Sequence, residues 1–207
     1  MMNVSLFRRT APVLALAGAL SLLAGCASAP RSTASVAAFQ DTVEFNGRIA
    51  ISFIRDGKKE AMNGNFNWQQ TPSRTDVSLN SPTGQTVARI SVTDHAATLQ
   101  QSGQPLRTAP DLDSLTRQTL GWTLPVGGLR DWLQGHATDA DGKPFTASPA
   151  NDAVVTRDGW KIEYLGWQDE AAAVPQPRRI DVTRLTLGQQ VDELSFRIVL
   201  DPAAPAS

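Results

Sequence analysis

Residues 43–53 read VEFNGRIAISF, and the alternation inside this stretch decides the kind of fold. Val43, Phe45, Gly47, Ile49, Ile51 and Phe53 fall on one side of an extended chain, and Glu44, Asn46, Arg48, Ala50 and Ser52 on the other. Successive side chains of a β-strand point to opposite faces, so a period of two marks a strand with one buried side. After Asp56-Gly57 the alternation resumes, with Met62, Gly64, Phe66 and Trp68 opposite Asn63, Asn65 and Asn67. The two segments predict a hairpin.

The same period recurs outward from there. Val77 and Leu79 predict a third strand, the turn NSPTG (80–84) follows, and Ala88, Ile90 and Val92 predict a fourth. Short strands are expected near 96–100 and 104–108. Later come Trp160, Ile162 and Tyr164, then Ile180 with Val182, and Leu185 with Leu187. A turn at Gly188-Gln189-Gln190 leads to Leu194, Phe196, Ile198 and Leu200. Many antiparallel strands with one apolar face each imply a sandwich or a barrel.

Helical signals interrupt the strands. Asp111 can cap a helix carrying Leu112, Leu115 and Leu120 that stops at Gly121. Pro125 suits a first helical turn and Gly135 the position just past a helix end. Between them Val126, Leu129, Trp132 and Leu133 share one helical face, although Gly127-Gly128 weakens such a helix by about 1 kcal/mol per glycine. A third short helix is expected around 33–40, bringing Val36 and Phe39 together. The expected fold class is therefore mainly β with a few helices (α+β).

The first residues carry a targeting pattern. Arg8 and Arg9 form a basic region, residues 11–24 an apolar one, and small residues precede Cys26, the single cysteine of the chain. Leu23-Ala24-Gly25-Cys26 resembles the bacterial lipobox, which implies cleavage before Cys26 and acylation of that residue. Ala27, rather than Asp, follows the cysteine, which by resemblance to sorting signals favours the outer membrane. Cleavage removes Arg8 and Arg9 and no acid, so the net charge goes from −1 to −3. No basic surface suited to nucleic acid is expected. The chain divides into a signal peptide (1–25), a small, polar and Pro-containing tether (26–35), a single domain (36–200) and a disordered tail (201–207). No other stretch approaches the roughly 18 apolar residues of a membrane span.

Enzyme chemistry finds little footing. His95 and His136 belong to neither H-x-x-x-H nor H-E-x-x-H, and neither a G-x-S-x-G elbow nor a phosphate-cradling loop is present. The pairs Asp111/Asp113 and Asp139/Asp141 have the spacing of caps and turns. No catalytic residue, metal ligand or cofactor is expected.

A set of motifs spread along the chain resembles the LolB family. They are Phe66-x-Trp68-Gln69-Gln70, Asn80-x-Pro82-x-Gly84, Gly121-x-x-x-Pro125-x-x-x-Leu129-Arg130-x-Trp132-x-x-Gly135, Trp160-Lys161-x-x-Tyr164, and Val174-Pro175. The resemblance implies a half-open antiparallel β-barrel with short helices over an apolar cavity. It also implies a monomeric receptor at the periplasmic face of the outer membrane. That receptor would take acylated lipoproteins from a periplasmic, LolA-like carrier and deliver them into the membrane lipids. Trp68, Val126, Leu129, Trp132 and Leu133 are the candidate cavity residues, although an ordinary core would show the same apolar stripe. Pro82, Thr83 and Gly84 are the candidate delivery turn. The family carries an apolar residue between Pro and Gly there, and this chain has Thr83. Arg48, Arg89 and Arg130 are candidates for polar groups of cargo or carrier, or are simply solvated. The competing readings are a structural or assembly lipoprotein with a packed core and no lipid transfer, and a hydrolase dependent on His95 and His136.

Overall fold

A computed structural model of the chain describes residues 31–55, 57–120, 125–185 and 193–203. Among the described residues twelve strands and two helices follow one another. They are β1 Val43–Arg55, β2 Lys58–Thr71, β3 Arg74–Asn80, β4 Thr86–Thr93, β5 Ala97–Gln101, β6 Arg107–Ala109, α1 Leu112–Leu120, α2 Val126–Trp132, β7 His136–Thr138, β8 Pro144–Thr146, β9 Ala153–Val155, β10 Lys161–Trp167, β11 Pro177–Leu185 and β12 Glu193–Leu200. Ten of them make one antiparallel sheet in the order β6-β5-β4-β3-β2-β1-β12-β11-β10-β9, and β7 and β8 form a separate small hairpin. The sheet remains open, because its edge strands β6 and β9 do not pair with each other. This is the expected unclosed barrel.

The opening hairpin has the register that the alternation demands. Phe45 faces Trp68, Gly47 faces Phe66 and Ile51 faces Met62 across β1 and β2, with the reversal after Arg55↔Lys58. Gly57 takes φ +72°, which a side chain resists. The first and last strands then pair, Gly47 with Leu200 and Phe53 with Leu194, which joins the two halves of the meander. Phe66, Trp68, Val77, Ile90, Leu99, Ile162, Tyr164, Ile180, Val182, Phe196 and Ile198 are all buried on the inner face. Gly47 is required where these strands cross: a Cβ there would stand 2.3 Å from the carbonyl oxygen of Val199.

The first helix has the predicted start. Asp111 accepts from the Ser114 backbone N–H at 2.6 Å and from its hydroxyl at 3.0 Å. Those bonds from Ser114 hold the Asp111 carboxyl below its ordinary range. The expected helix over 33–40 does not form. The backbone N–H of Val36 donates instead to the Ala147 carbonyl at 3.1 Å, and that of Gln40 to the Gln134 side chain at 2.9 Å. These non-local partners replace the i→i−4 bonds a helix would need, and the segment has no regular secondary structure. Val36 is buried while Phe39 is exposed, edge-on to His136 at 6.3 Å. Arg31 pairs with Asp152 and Glu170, and the Ser32 carbonyl accepts from the Ala150 N–H at 2.9 Å. Cys26, the signal segment, the helix stop at Gly121, Leu187, the turn at Gly188-Gln189-Gln190 and tail residues 204–207 lie outside the described residues. Among the described residues no helix is long and apolar enough to cross a membrane.

Candidate functional site

Both helices lie against the inner face of the sheet, and the space between them is not filled. An apolar cavity of about 160 Å³ remains there. Its sheet wall includes Ile49, Ile51, Phe66, Trp68, Val77 and Ile90, with Phe196 and Ile198 from β12. Its helix wall is Leu112, Leu115 and Thr116 from α1, with Val126, Leu129 and Leu133. The polar members are Gln101 and Thr116, and the Thr116 hydroxyl donates to the Leu112 carbonyl at 2.9 Å. The lining thus offers acyl or aliphatic surface almost no hydrogen-bonding competition.

Met62 and Val87 line the cavity and are also half-exposed, so the opening lies at their end of the sheet. At the other end Trp68 closes the wall. Its indole Nε1 donates to Gln70 Oε1 at 3.2 Å, and Gln70 Nε2 donates to the Gln40 carbonyl at 3.4 Å. Gln70 is buried, and these contacts satisfy an amide that would otherwise be costly there.

Four of the five expected cavity residues are brought together: Trp68, Val126, Leu129 and Leu133. Trp132 is not among the lining residues. Its ring turns back over Gly128 and packs against Trp160 at 6.0 Å, while its carbonyl accepts from the buried Tyr164 hydroxyl at 3.1 Å. Burial, with Asp131 adding to it, pushes the Tyr164 phenol far up, so it stays a neutral donor. The helical spacing was right, but a face of about 100° spans two environments, the cavity and the aromatic cluster beneath β10. Met62, Leu112, Leu115 and Phe196 are among the lining residues that were not singled out as cavity candidates. Their signal was the strand and helix periodicity itself, which does not separate cavity wall from core.

Arg130 is not a free surface cation. Its guanidinium donates to the Thr75 hydroxyl at 2.6 Å and to the Thr71 carbonyl at 3.0 Å, tying α2 to the end of the β2–β3 hairpin. Arg48 and Arg89 are exposed. His136 Nε2 lies 2.8 Å from the Ala37 carbonyl, and His95 is exposed in the β4–β5 turn. Among the described residues no group of His, Cys, Asp or Glu could hold a metal ion.

The NSPTG segment forms a tight, exposed turn. The Gly84 N–H donates to the Ser81 carbonyl at 2.9 Å, Gly84 takes φ +86°, and the Thr83 and Ser81 hydroxyls lie 2.8 Å apart. Pro82 borders a shallow groove on the outer face with Arg48, Ala50 and Asn63. Thr83 itself is exposed.

An open antiparallel half-barrel, curled round an apolar chamber and roofed by two helices, is the class of protein that this fold and site define. The family model described as "Outer membrane lipoprotein LolB" matches residues 41–202. The chain belongs to the LolB family, which places it among outer-membrane lipoproteins. The outer-membrane lipoprotein LolB of Cupriavidus necator is 38% identical over 190 residues, covering 91% of this chain and 94% of its own. That of Ralstonia nicotianae is 35% identical over 210 residues, covering 95% and 99%. Among solved structures, a LolA superfamily protein from Nitrosomonas europaea aligns with a TM-score of 0.42 and 9% identity, over 80% of this chain and 88% of its own.

Proposed function

We propose that this protein is a receptor that takes acylated lipoproteins from a soluble periplasmic, LolA-like carrier and passes them into the outer membrane. The observation that carries this reading is the apolar cavity beneath α1 and α2, open at Met62 and Val87. An acyl chain exposed to water loses about 0.8 kcal/mol per methylene, so a transfer intermediate needs such a chamber. Trp68, Val126, Leu129 and Leu133 contact the acyl chain. Cys26 carries the protein's own lipid and anchors the domain to the membrane. Several acyl chains on one residue anchor a protein durably, where a single chain binds reversibly. The Pro82-Thr83-Gly84 turn is the delivery tip. Transfer needs no cofactor or covalent step, only an affinity for acyl chains between those of carrier and bilayer.

The test is direct transfer. Carrier loaded with an acylated lipoprotein is mixed with the protein, and the cargo is followed by separating the two. The expected result is cargo on the protein; cargo that stays on a carrier known to discharge to another family member would refute the reading.

A further inference from the structure

The cavity is bounded at one end by a side chain that it shares with another space. Beyond the end of α2 lies a cleft of about 440 Å³, walled by Val36, Phe45, Gln134, Pro175, Pro177 and Leu200. Leu133 alone lines both the cavity and this cleft. It is buried, and its backbone N–H donates to the Leu129 carbonyl at 3.1 Å, so the main chain is held and the side chain stands where the two spaces meet. The opening at Met62 lies at the opposite end: Met62 and Trp68 stand six positions apart on β2, about 20 Å of strand. Trp68 in turn pairs with Phe45, which belongs to the cleft. A chain entering past Met62 therefore runs toward Leu133. The cavity's 160 Å³ also falls short of the roughly 300–1,000 Å³ usual for ligand sites, whereas the cleft lies within that range.

We propose that Leu133 is the floor of the acyl cavity and fixes the length of chain it accepts, and that the cleft beyond is a second subsite for the methyl end of longer chains. This rests on the acyl-chain reading above. The cleft suits that role because Val36, Val43, Phe45, Pro175, Pro177 and Leu200 give it apolar wall, although Glu44 and Asp201 also line it. The side-chain amides of Gln134 and Gln168 are occupied within the fold: Gln134 bonds the Gln40 backbone in both directions, and Gln168 donates to the Leu200 carbonyl at 3.1 Å. They need no polar partner from the ligand.

The experiment uses the full chain carrying Cys26→Ser, with straight-chain fatty acids of increasing length displacing a fluorescent acyl probe. In the parent, affinity rises about fourfold per methylene and then levels off once the chain meets Leu133. Leu133→Ala extends that rise, so the longest acids bind on the order of tenfold tighter than they do to the parent. Leu133→Val moves the plateau the same way by less, and carries the test if thermal melting shows the alanine variant unfolded. Leu129→Ala, which enlarges the cavity without touching the cleft, leaves the plateau length where it is. A purely structural role for Leu133 would weaken all lengths alike. A plateau at one length in the parent and both Leu133 variants overturns the proposal while leaving the acyl cavity intact. If no fatty acid displaces the probe from the parent, the acyl reading itself falls, and the proposal with it.

Discussion

Gly127 and Gly128 are neighbours on α2, yet alanine should act oppositely at the two. In an open helix, alanine in place of glycine stabilises by about 0.5–1 kcal/mol, mainly by restricting the unfolded chain. A Cβ at 127 would meet nothing within 4 Å, so the full gain is expected there. At 128 a Cβ would stand 2.3 Å from Cζ2, 2.6 Å from Cε2 and 2.7 Å from Cη2 of Trp132. That ring cannot swing clear, since it is buried and held against Trp160, with the Trp132 carbonyl bonded by Tyr164. Forcing extra volume into such a site costs about 1–3 kcal/mol, against the gain of up to about 1. Gly128→Ala should therefore lie about 1–3 kcal/mol below Gly127→Ala, a gap of several degrees in melting temperature. Urea denaturation of the two variants, followed by circular dichroism in the Cys26→Ser background, measures it. Equal stabilisation by both alanines would refute the placement of the Trp132 ring over Gly128, and with it the reason that this residue leaves the cavity.

Other outcomes follow from the same packing. Gly47→Ala puts a Cβ 2.3 Å from the Val199 carbonyl and 3.0 Å from Phe66 Cε1, so the β1–β12 junction must open. A loss of about 2–3 kcal/mol in urea denaturation is expected, and a neutral result would mean that the junction is not built this way. On the outer face, burial works to raise the Asp181 carboxyl, but Arg179 at 2.8 Å and Arg197 at 3.4 Å hold it below its ordinary value. A depressed folded value means stability that is present above the unfolded carboxylate pKa of about 3.9 and is lost as pH falls through the folded one. Asp181→Asn should cost about 0.5–1 kcal/mol at pH 7, and the gap to the parent should close toward pH 3; a gap of the same size at both pH values would count against the pairing. Thr83→Leu should deliver cargo to liposomes as well as the parent or better, since burying a leucine is worth about 1.5–3 kcal/mol, and Thr83→Glu should deliver it worse. Equal delivery by all three would make the turn a connector.

The antiparallel strands were legible because they rest on local signals, whereas the half-open barrel was implied by the resemblance to the LolB family. A period of two states the strand and its buried face, and the register follows once the turn at Gly57 is placed. Asp111 announces its helix through bonds to a residue three places on. The segment 33–40 failed for the opposite reason. Its apolar spacing allowed a helix, but its backbone found partners 94 to 111 residues away at Gln134 and Ala147. The order and spacing of the motifs, behind the lipobox, carried the resemblance to the family, and the family model over residues 41–202 bears it out.

What the chain determined by itself, then, was the long alternating strands and the two helices after Asp111 and Pro125, the candidate lipobox at Cys26 and an apolar set sufficient to surround a ligand. Whether an apolar side chain faces a filled core, a cavity or a boundary between two spaces depends on where the other elements stop, and periodicity carries no information on that. Trp132 and Leu133 are adjacent and equally apolar. One is folded back onto Gly128 and Trp160, and the other stands between the cavity and the cleft. Only the three-dimensional placement of α2, pinned by Arg130 to Thr71 and Thr75, gives these two neighbours different tasks.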